Sequence, residues 1–123
     1  MTTTPALSPR TVMDSAVTEA ALQEAVVALL ELHGWRVFTV RRSAYRGKNG
    51  RMVSAVTSEG WPDVLALKGK RIVAWELKVE NPNKGRVTPE QQDWLDAWAV
   101  TGAVAWIVRP SDWEEIRAFV EAS

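Results

Sequence analysis

A compact α/β sandwich with a mixed sheet is the fold predicted for this chain, and three observations predict it. Helix-forming stretches and short β-rich runs follow one another in the order helix, three strands, helix, strand, helix. Of the 123 residues, 46% are apolar, enough to close a core without disulfide or metal staples. There is neither an internal repeat nor a dividing linker, so residues 14–123 read as one domain. They follow a flexible N-terminal tail at 1–13, MTTTPALSPRTVM, which is rich in Thr, Pro and Ser and has no apolar period.

Each element has its own signal. Helix formers run from about Asp14 to His33, where Gly34 offers a C-cap, and Leu22, Val26, Leu29, Leu30 and His33 recur at helical spacing. WRVFTV at 35–40 is short and β-rich, a strand. RRSAYRGKNGRMVSAVTSEG centres on Gly-Lys-Asn-Gly and reads as an extended loop or a loose hairpin. Two strands follow near 63–68 and 71–79. In VTPEQQDWLDAWAVTG, Thr88 stands at the N-cap, Pro89 at the first helical position and Gln91 three residues after Thr88, a capping box; that helix runs to about Val100 and ends at Gly102. AVAWIV at 103–108, bounded by Gly and Pro, is a buried strand. Ser111 with Glu114 suggests a second capping box, opening a last helix that carries Trp113, Ile116 and Val120.

Composition narrows the chemistry. Cysteine is absent and His33 is the single histidine, which excludes a disulfide framework, a thiolate zinc site and an imidazole cluster; any metal must be held by oxygen. No uninterrupted apolar run exceeds six residues, and the N-terminus lacks the regions of a signal peptide, so a cytoplasmic chain with no membrane partner is expected. The zero net charge conceals an asymmetry. From Arg36 to Arg86 there are twelve Lys and Arg against four acids; from Glu90 onward there are seven acids against Arg109 and Arg117. A basic region of that size suits a phosphate partner, and equally an ordinary solvated surface.

The chemistry concentrates in WPDVLALKGKRIVAWELKVE, residues 61–80. Strand alternation puts Ile72, Ala74, Glu76 and Lys78 on one face and Val73, Trp75, Leu77 and Val79 on the other. If Gly69 and Lys70 are the centre of a two-residue type II′ turn, Lys68 pairs with Arg71 and Asp63 lies directly across from Glu76; with Lys68 and Gly69 at the centre instead, Asp63 falls opposite Ala74, still on the Glu76 face. Two facing carboxylates repel each other, and a divalent cation resolves the conflict. A salt bridge from Lys78 across the strands, with Asp63 closing a turn after Pro62, would account for the same residues without an ion, and the spacing alone does not decide between the two. Gln91, in phase with Trp94, Leu95 and Trp98, points toward the sheet. Glu19 lies close to the centre of the first helix's apolar stripe, whereas Glu24 and Glu31 lie nearly opposite it.

Taken together, Gly60-Trp61-Pro62-Asp63, Glu76-Leu77-Lys78 and Gly85-Arg86-Val87-Thr88-Pro89-Glu90-Gln91 followed by Trp94-Leu95 resemble the VRR-NUC branch of the PD-(D/E)XK nuclease superfamily. Small stand-alone members of this branch occur in phages and bacteria. The likeness covers most of the chain from Thr18 to Val108. It implies a restriction-endonuclease-like core, α-β-β-β-α-β, with a central mixed sheet flanked by helices, and hydrolysis of DNA phosphodiesters dependent on Mg²⁺ or Mn²⁺. Position by position, it implies Asp63 and Glu76 as metal ligands with the Leu77 carbonyl as a third, Lys78 as the catalytic lysine and Gln91 as an active-site helper. The family's first-helix glutamate, a further catalytic and metal-side residue, falls on Glu19, with Glu24 close by in sequence.

In that reading Arg41, Arg42, Arg46, Lys48 and Arg51 grip the DNA backbone from the long loop, with Lys84 and Arg86 on the other side of the site. Trp75, Trp94, Trp98 and Trp106 fall on apolar faces and read as core or dimer contacts rather than base platforms. Stand-alone relatives, like the Holliday junction resolvases they resemble, commonly act as homodimers on branched DNA. The expectation is therefore a homodimeric, structure-selective endonuclease, with Holliday junction resolution as its sharper form. The alternatives are a non-catalytic DNA-binding or assembly module that keeps the fold, and a restriction-type nuclease. Intact Asp63, Glu76 and Lys78 count against the module, which has no need of a repulsive pair.

Overall fold

Thr18 is the last residue before the first helix: its backbone is extended (φ −83°, ψ 160°) and its Oγ1 accepts the Ala21 N–H at 3.1 Å. The computed structural model describes residues 17–40, 59–81 and 85–123, together with the backbone of two short strands at 44–46 and 52–54. The expected tail at 1–13, and the expected helix start at Asp14, lie outside the described residues. Helix α1 spans Glu19–Leu32, with Thr18 as its N-cap. At its other end Gly34 N–H donates to Glu31 O and Trp35 N–H to Leu30 O, a Schellman closure that turns the chain into β1 (Arg36–Thr39).

Strands β2 (Ala44–Arg46) and β3 (Met52–Ser54) pair antiparallel as a separate two-stranded sheet, the loose hairpin expected there. Strands β4 (Val64–Lys68) and β5 (Arg71–Leu77) follow, then helix α2 (Pro89–Val100), β6 (Val104–Val108), a 3₁₀ turn (Pro110–Asp112) and helix α3 (Trp113–Glu121). The main sheet has the order β1-β4-β5-β6; β1, β4 and β5 are antiparallel neighbours, and β6 joins parallel to β5 after the α2 crossover. Among the described residues the molecule is thus a mixed α/β fold with a four-stranded mixed sheet and three α-helices.

Alternation divides the sheet into two faces. Val64, Ala66, Val73, Trp75, Leu77 and Val108 pack against Leu22, Val26 and Leu30 of α1 and Ile116 and Val120 of α3. Trp75 is fully buried there, stacked on Trp106 at 5.8 Å, with Phe119 against both rings. Helix α2 packs on the opposite face, over β5 and β6.

The expected Ser111–Glu114 capping box does not form. Asp112 Oδ2 accepts the Arg109 N–H at 2.9 Å and closes the 3₁₀ turn, while the Ser111 N–H donates to Glu80 Oε2 at 2.8 Å. The turn residue with the reachable carboxylate took the role, and Ser111 was drawn to a partner distant in sequence. No helix among the described residues is long and apolar enough to cross a membrane.

Candidate active site

The β4–β5 turn sets the site's register. Gly69 has φ +60° and Lys70 stays at negative φ, so the turn belongs to the II′ class, in which only the first central residue needs the left-handed region. Lys68 pairs with Arg71 and Val64 with Trp75. One step further along the same register, Asp63 stands across from Glu76.

That register also explains why proline precedes the aspartate. In a hairpin with a two-residue turn, alternate residues of β5, namely Val73, Trp75 and Leu77, turn their backbone groups toward β4, and the others turn theirs toward β6. The Lys78 N–H, bonded to Val108 O at 2.9 Å, follows this pattern. Leu77 would then pair with Pro62, which has no N–H and cannot complete the ladder. The rung that proline removes is the one to the Leu77 carbonyl; the Leu77 N–H, for its part, donates to the Asp63 carboxylate, whose Oδ2 accepts it at 2.9 Å. Asp63 thus caps the end of a ladder fourteen residues away.

Glu76 is held from the opposite side. Gln91 N–H donates to Thr88 Oγ1 at 3.1 Å and Gln91 Oε1 accepts the Thr88 N–H at 2.9 Å, completing the capping box. With its oxygen so engaged, Gln91 presents Nε2 to the sheet, where it donates to Glu76 Oε2 at 2.8 Å. One side chain thus both caps the helix and anchors the carboxylate. Lys78 Nζ lies 3.8 Å from the same Glu76 oxygen, an ion pair along β5 rather than across the strands. All four side chains are buried: Asp63 is 5% exposed, Glu76 2%, Lys78 7% and Gln91 4%. Two carboxylates and one ammonium thus lie together in the interior of the protein.

Asp63 also lines a cleft of about 750 Å³ between α1 and the end of β1, shared with Glu19, Gln23, Glu24, Glu31 and Thr39. Glu19 is exposed, contrary to its expected inward orientation. Its helical angle is right, but it is the first helical residue, and burial begins only at Leu22, one turn in. Glu24 and Glu31 are exposed as expected, yet they line the same cleft. Among the described residues, no group of three or more His, Cys, Asp and Glu side chains is placed to hold a metal ion; the site's carboxylate core is the Asp63–Glu76 pair.

Of the residues expected to grip DNA, Arg41, Arg42, Lys48, Arg51 and Lys84 lie outside the described residues, as does the side chain of Arg46; Arg86 is exposed just before the Thr88 cap. Trp94 and Trp98 are half-buried on α2 and meet Trp61 edge-on at 4.7 and 5.9 Å.

Gly60 escaped the sequence reading as a site residue. Its φ is +87°, and a Cβ there would lie 2.5 Å from the Glu90 carbonyl and 2.7 Å from Gln91 N. The chain passes directly against the first turn of α2, and this contact joins the Asp63 segment to the Gln91 segment. A glycine two residues before the proline was the available signal. In comparisons with known proteins the chain matches no family model, no curated protein and no solved structure.

Proposed function

We propose that this chain is a metal-dependent endodeoxyribonuclease of the VRR-NUC kind, with a restriction-endonuclease-like core, acting on DNA phosphodiesters. One observation carries the reading: two buried carboxylates face each other at the end of a hairpin, each tied to a different element, with a buried lysine beside them. Burying like charges together costs stability, and nothing in the packing of the sheet requires it. The donor set fits a hard divalent ion, since Mg²⁺ or Mn²⁺ takes oxygen ligands and is commonly held by one or two carboxylates with waters and substrate phosphate.

Asp63, Glu76 and the Leu77 carbonyl would hold that ion; Glu19 lines the cleft beside Asp63. When bound, the ion supplies Lewis acidity at the phosphate and a more acidic water. The chain's own groups do the rest. The Leu77 N–H and Gln91 Nε2 fix one oxygen of each carboxylate before substrate arrives, so little reorganisation is needed. Lys78, kept in place by Glu76, brings a positive charge to the phosphate oxygens and can orient the attacking water. The basic segment from Arg41 to Arg51, with Lys84 and Arg86, would neutralise the DNA backbone on either side. Branched DNA, four-way junctions in particular, is the proposed substrate, and a two-fold pair of chains would supply two sites for symmetric cutting.

The test is direct. Purified protein is incubated with linear duplex, single-stranded, flap and four-way DNA, with and without Mg²⁺ or Mn²⁺, beside Glu76→Ala and Lys78→Ala. Metal-dependent cutting that both variants lose is expected. No cutting of any substrate, or undiminished cutting by both variants, overturns the assignment, and binding without cutting identifies a non-catalytic DNA-binding module.

A further inference from the structure

Arg109 stands in register with Lys78. Strand β6 pairs Ile107 with Glu76 and Val108 with Leu77, and the Lys78 N–H bond to Val108 O carries the parallel ladder one step further, to Arg109. The Arg109 backbone is still extended (φ −118°, ψ 161°), so alternation starts its side chain on the face that holds Glu76 and Lys78. The residue is half-buried, and its Nη1 donates to Val79 O at 3.0 Å, one residue past Lys78. Gly85 makes the room: a Cβ there would press on Val79 O and lie 2.8 Å from Arg109 Nη1. The glycine that precedes Arg86 thus has its reason in the guanidinium beside it.

Charge sets this arginine apart. From Glu90 onward the chain has seven acids and two arginines. Arg117 lies between Glu114 and Glu121, at 3.4 and 3.5 Å. Arg109 has no ion pair among the described residues, and the two carboxylates bonded to its segment serve backbone donors: Asp112 accepts the Arg109 N–H and Glu80 the Ser111 N–H. A half-buried guanidinium with one neutral acceptor keeps unused donors and an uncompensated charge, and a phosphate satisfies both with two parallel hydrogen bonds. We propose that Arg109 is a substrate-binding residue that takes the non-bridging oxygens of a phosphodiester in the strand being cut, next to the phosphate at Lys78. Because Val79 O holds the guanidinium before DNA arrives, little side-chain freedom is lost on binding. The choice of DNA as the ligand rests on the nuclease reading above.

Fluorescence anisotropy of labelled four-way DNA, titrated with the full chain in EDTA at several salt concentrations, tests binding apart from cutting. Each phosphate contact contributes about 0.9 to the slope of log affinity against log salt. Arg109→Gln is expected to lower the slope by about 0.9, and Arg109→Lys, which keeps the charge, to restore it. Arg117→Gln, on the helix that packs against the other face of the sheet, is expected to leave it unchanged. A merely structural role for Arg109 would not move this slope. In the wild type, DNA is expected to protect Arg109 but not Arg117 from modification by phenylglyoxal, a reading that needs no variant. A wild type that binds no DNA, an unchanged slope in Arg109→Gln, an equal fall in Arg117→Gln, or equal modification of Arg109 with and without DNA each overturns the proposal. Cutting that persists beside an unchanged slope leaves the nuclease reading standing without it, whereas the expected slopes in a protein that cuts nothing overturn the nuclease reading alone.

Discussion

Replacing Gly60 by alanine probes the contact that joins the two halves of the candidate site. Two costs add. At φ +87° a side chain must adopt the left-handed region, at about 1–2 kcal/mol. The new Cβ would also sit 2.5 Å from backbone atoms of Glu90, so the first turn of α2 or the Trp61 loop must shift, and overpacking of that kind costs about 1–3 kcal/mol. The sum, about 2–5 kcal/mol, is a large part of the total stability of about 5–15 kcal/mol ordinary for a small domain. Gly69→Ala is the matched control: φ is +60°, nothing lies within 4 Å of the added Cβ, and only the backbone cost of about 1–2 kcal/mol applies. Urea unfolding of both variants, compared at constant m, measures the difference. The same shift moves Gln91 relative to Glu76, so Gly60→Ala is expected to lose metal-dependent cutting while Gly69→Ala keeps it. Equal stability losses for the two variants, within about 0.5 kcal/mol, would refute the steric argument.

Further outcomes follow from the hydrogen bonds and the core. Asp63→Asn keeps an acceptor for the Leu77 N–H and removes one of two facing charges, so metal-free stability is expected to hold or rise by up to about 1 kcal/mol. Asp63→Ala strips that N–H of its acceptor and is expected to lose about 1–3 kcal/mol; thermal unfolding that ranks Asn below Ala contradicts the ladder account. Mg²⁺ at ten times its dissociation constant should stabilise the wild type by about 1.4 kcal/mol and Glu76→Gln by none, read as a melting-temperature shift. Gln91→Met breaks the cap and the Glu76 anchor together; about 1 kcal/mol of stability and about 10- to 100-fold in metal affinity are expected to go, by unfolding and titration calorimetry. Trp75→Ala empties the centre of the core and should cost about 3–5 kcal/mol in denaturant titration.

Much of the fold was legible in the sequence because local rules govern it. The stripe at Leu22, Val26 and Leu30 marks α1. Thr88-Pro89 with Gln91 marks the start of α2, and Gly69-Lys70 sets the hairpin register that brings Asp63 opposite Glu76. Gln91's two roles were both readable, one from the capping pattern and one from helical phase. The misreadings share a cause. Glu19 has the angle of a buried residue but is exposed at the first position of its helix, and Ser111 has the spacing of a cap but its N–H is claimed by Glu80, thirty-one residues away. Periodicity reports direction and spacing; it does not report what stands opposite.

By itself, then, the sequence determined the main elements and the shared face of the candidate pair of carboxylates, since these depend on dihedral preferences and on side-chain period within a few residues; which of two turn registers forms was decided by the structure. Only the tertiary structure decided that the Asp63 carboxylate accepts the Leu77 N–H at the end of the β4–β5 ladder, that one Gln91 amide ties α2 to Glu76, and that Gly60 must lack a side chain where the chain meets that helix. It also decided that Phe38 and Leu67 stay exposed on β1 and β4. Each of these is set by which backbone groups and surfaces meet across the sheet, and such meetings follow from the packing of distant segments rather than from the pattern of any one of them.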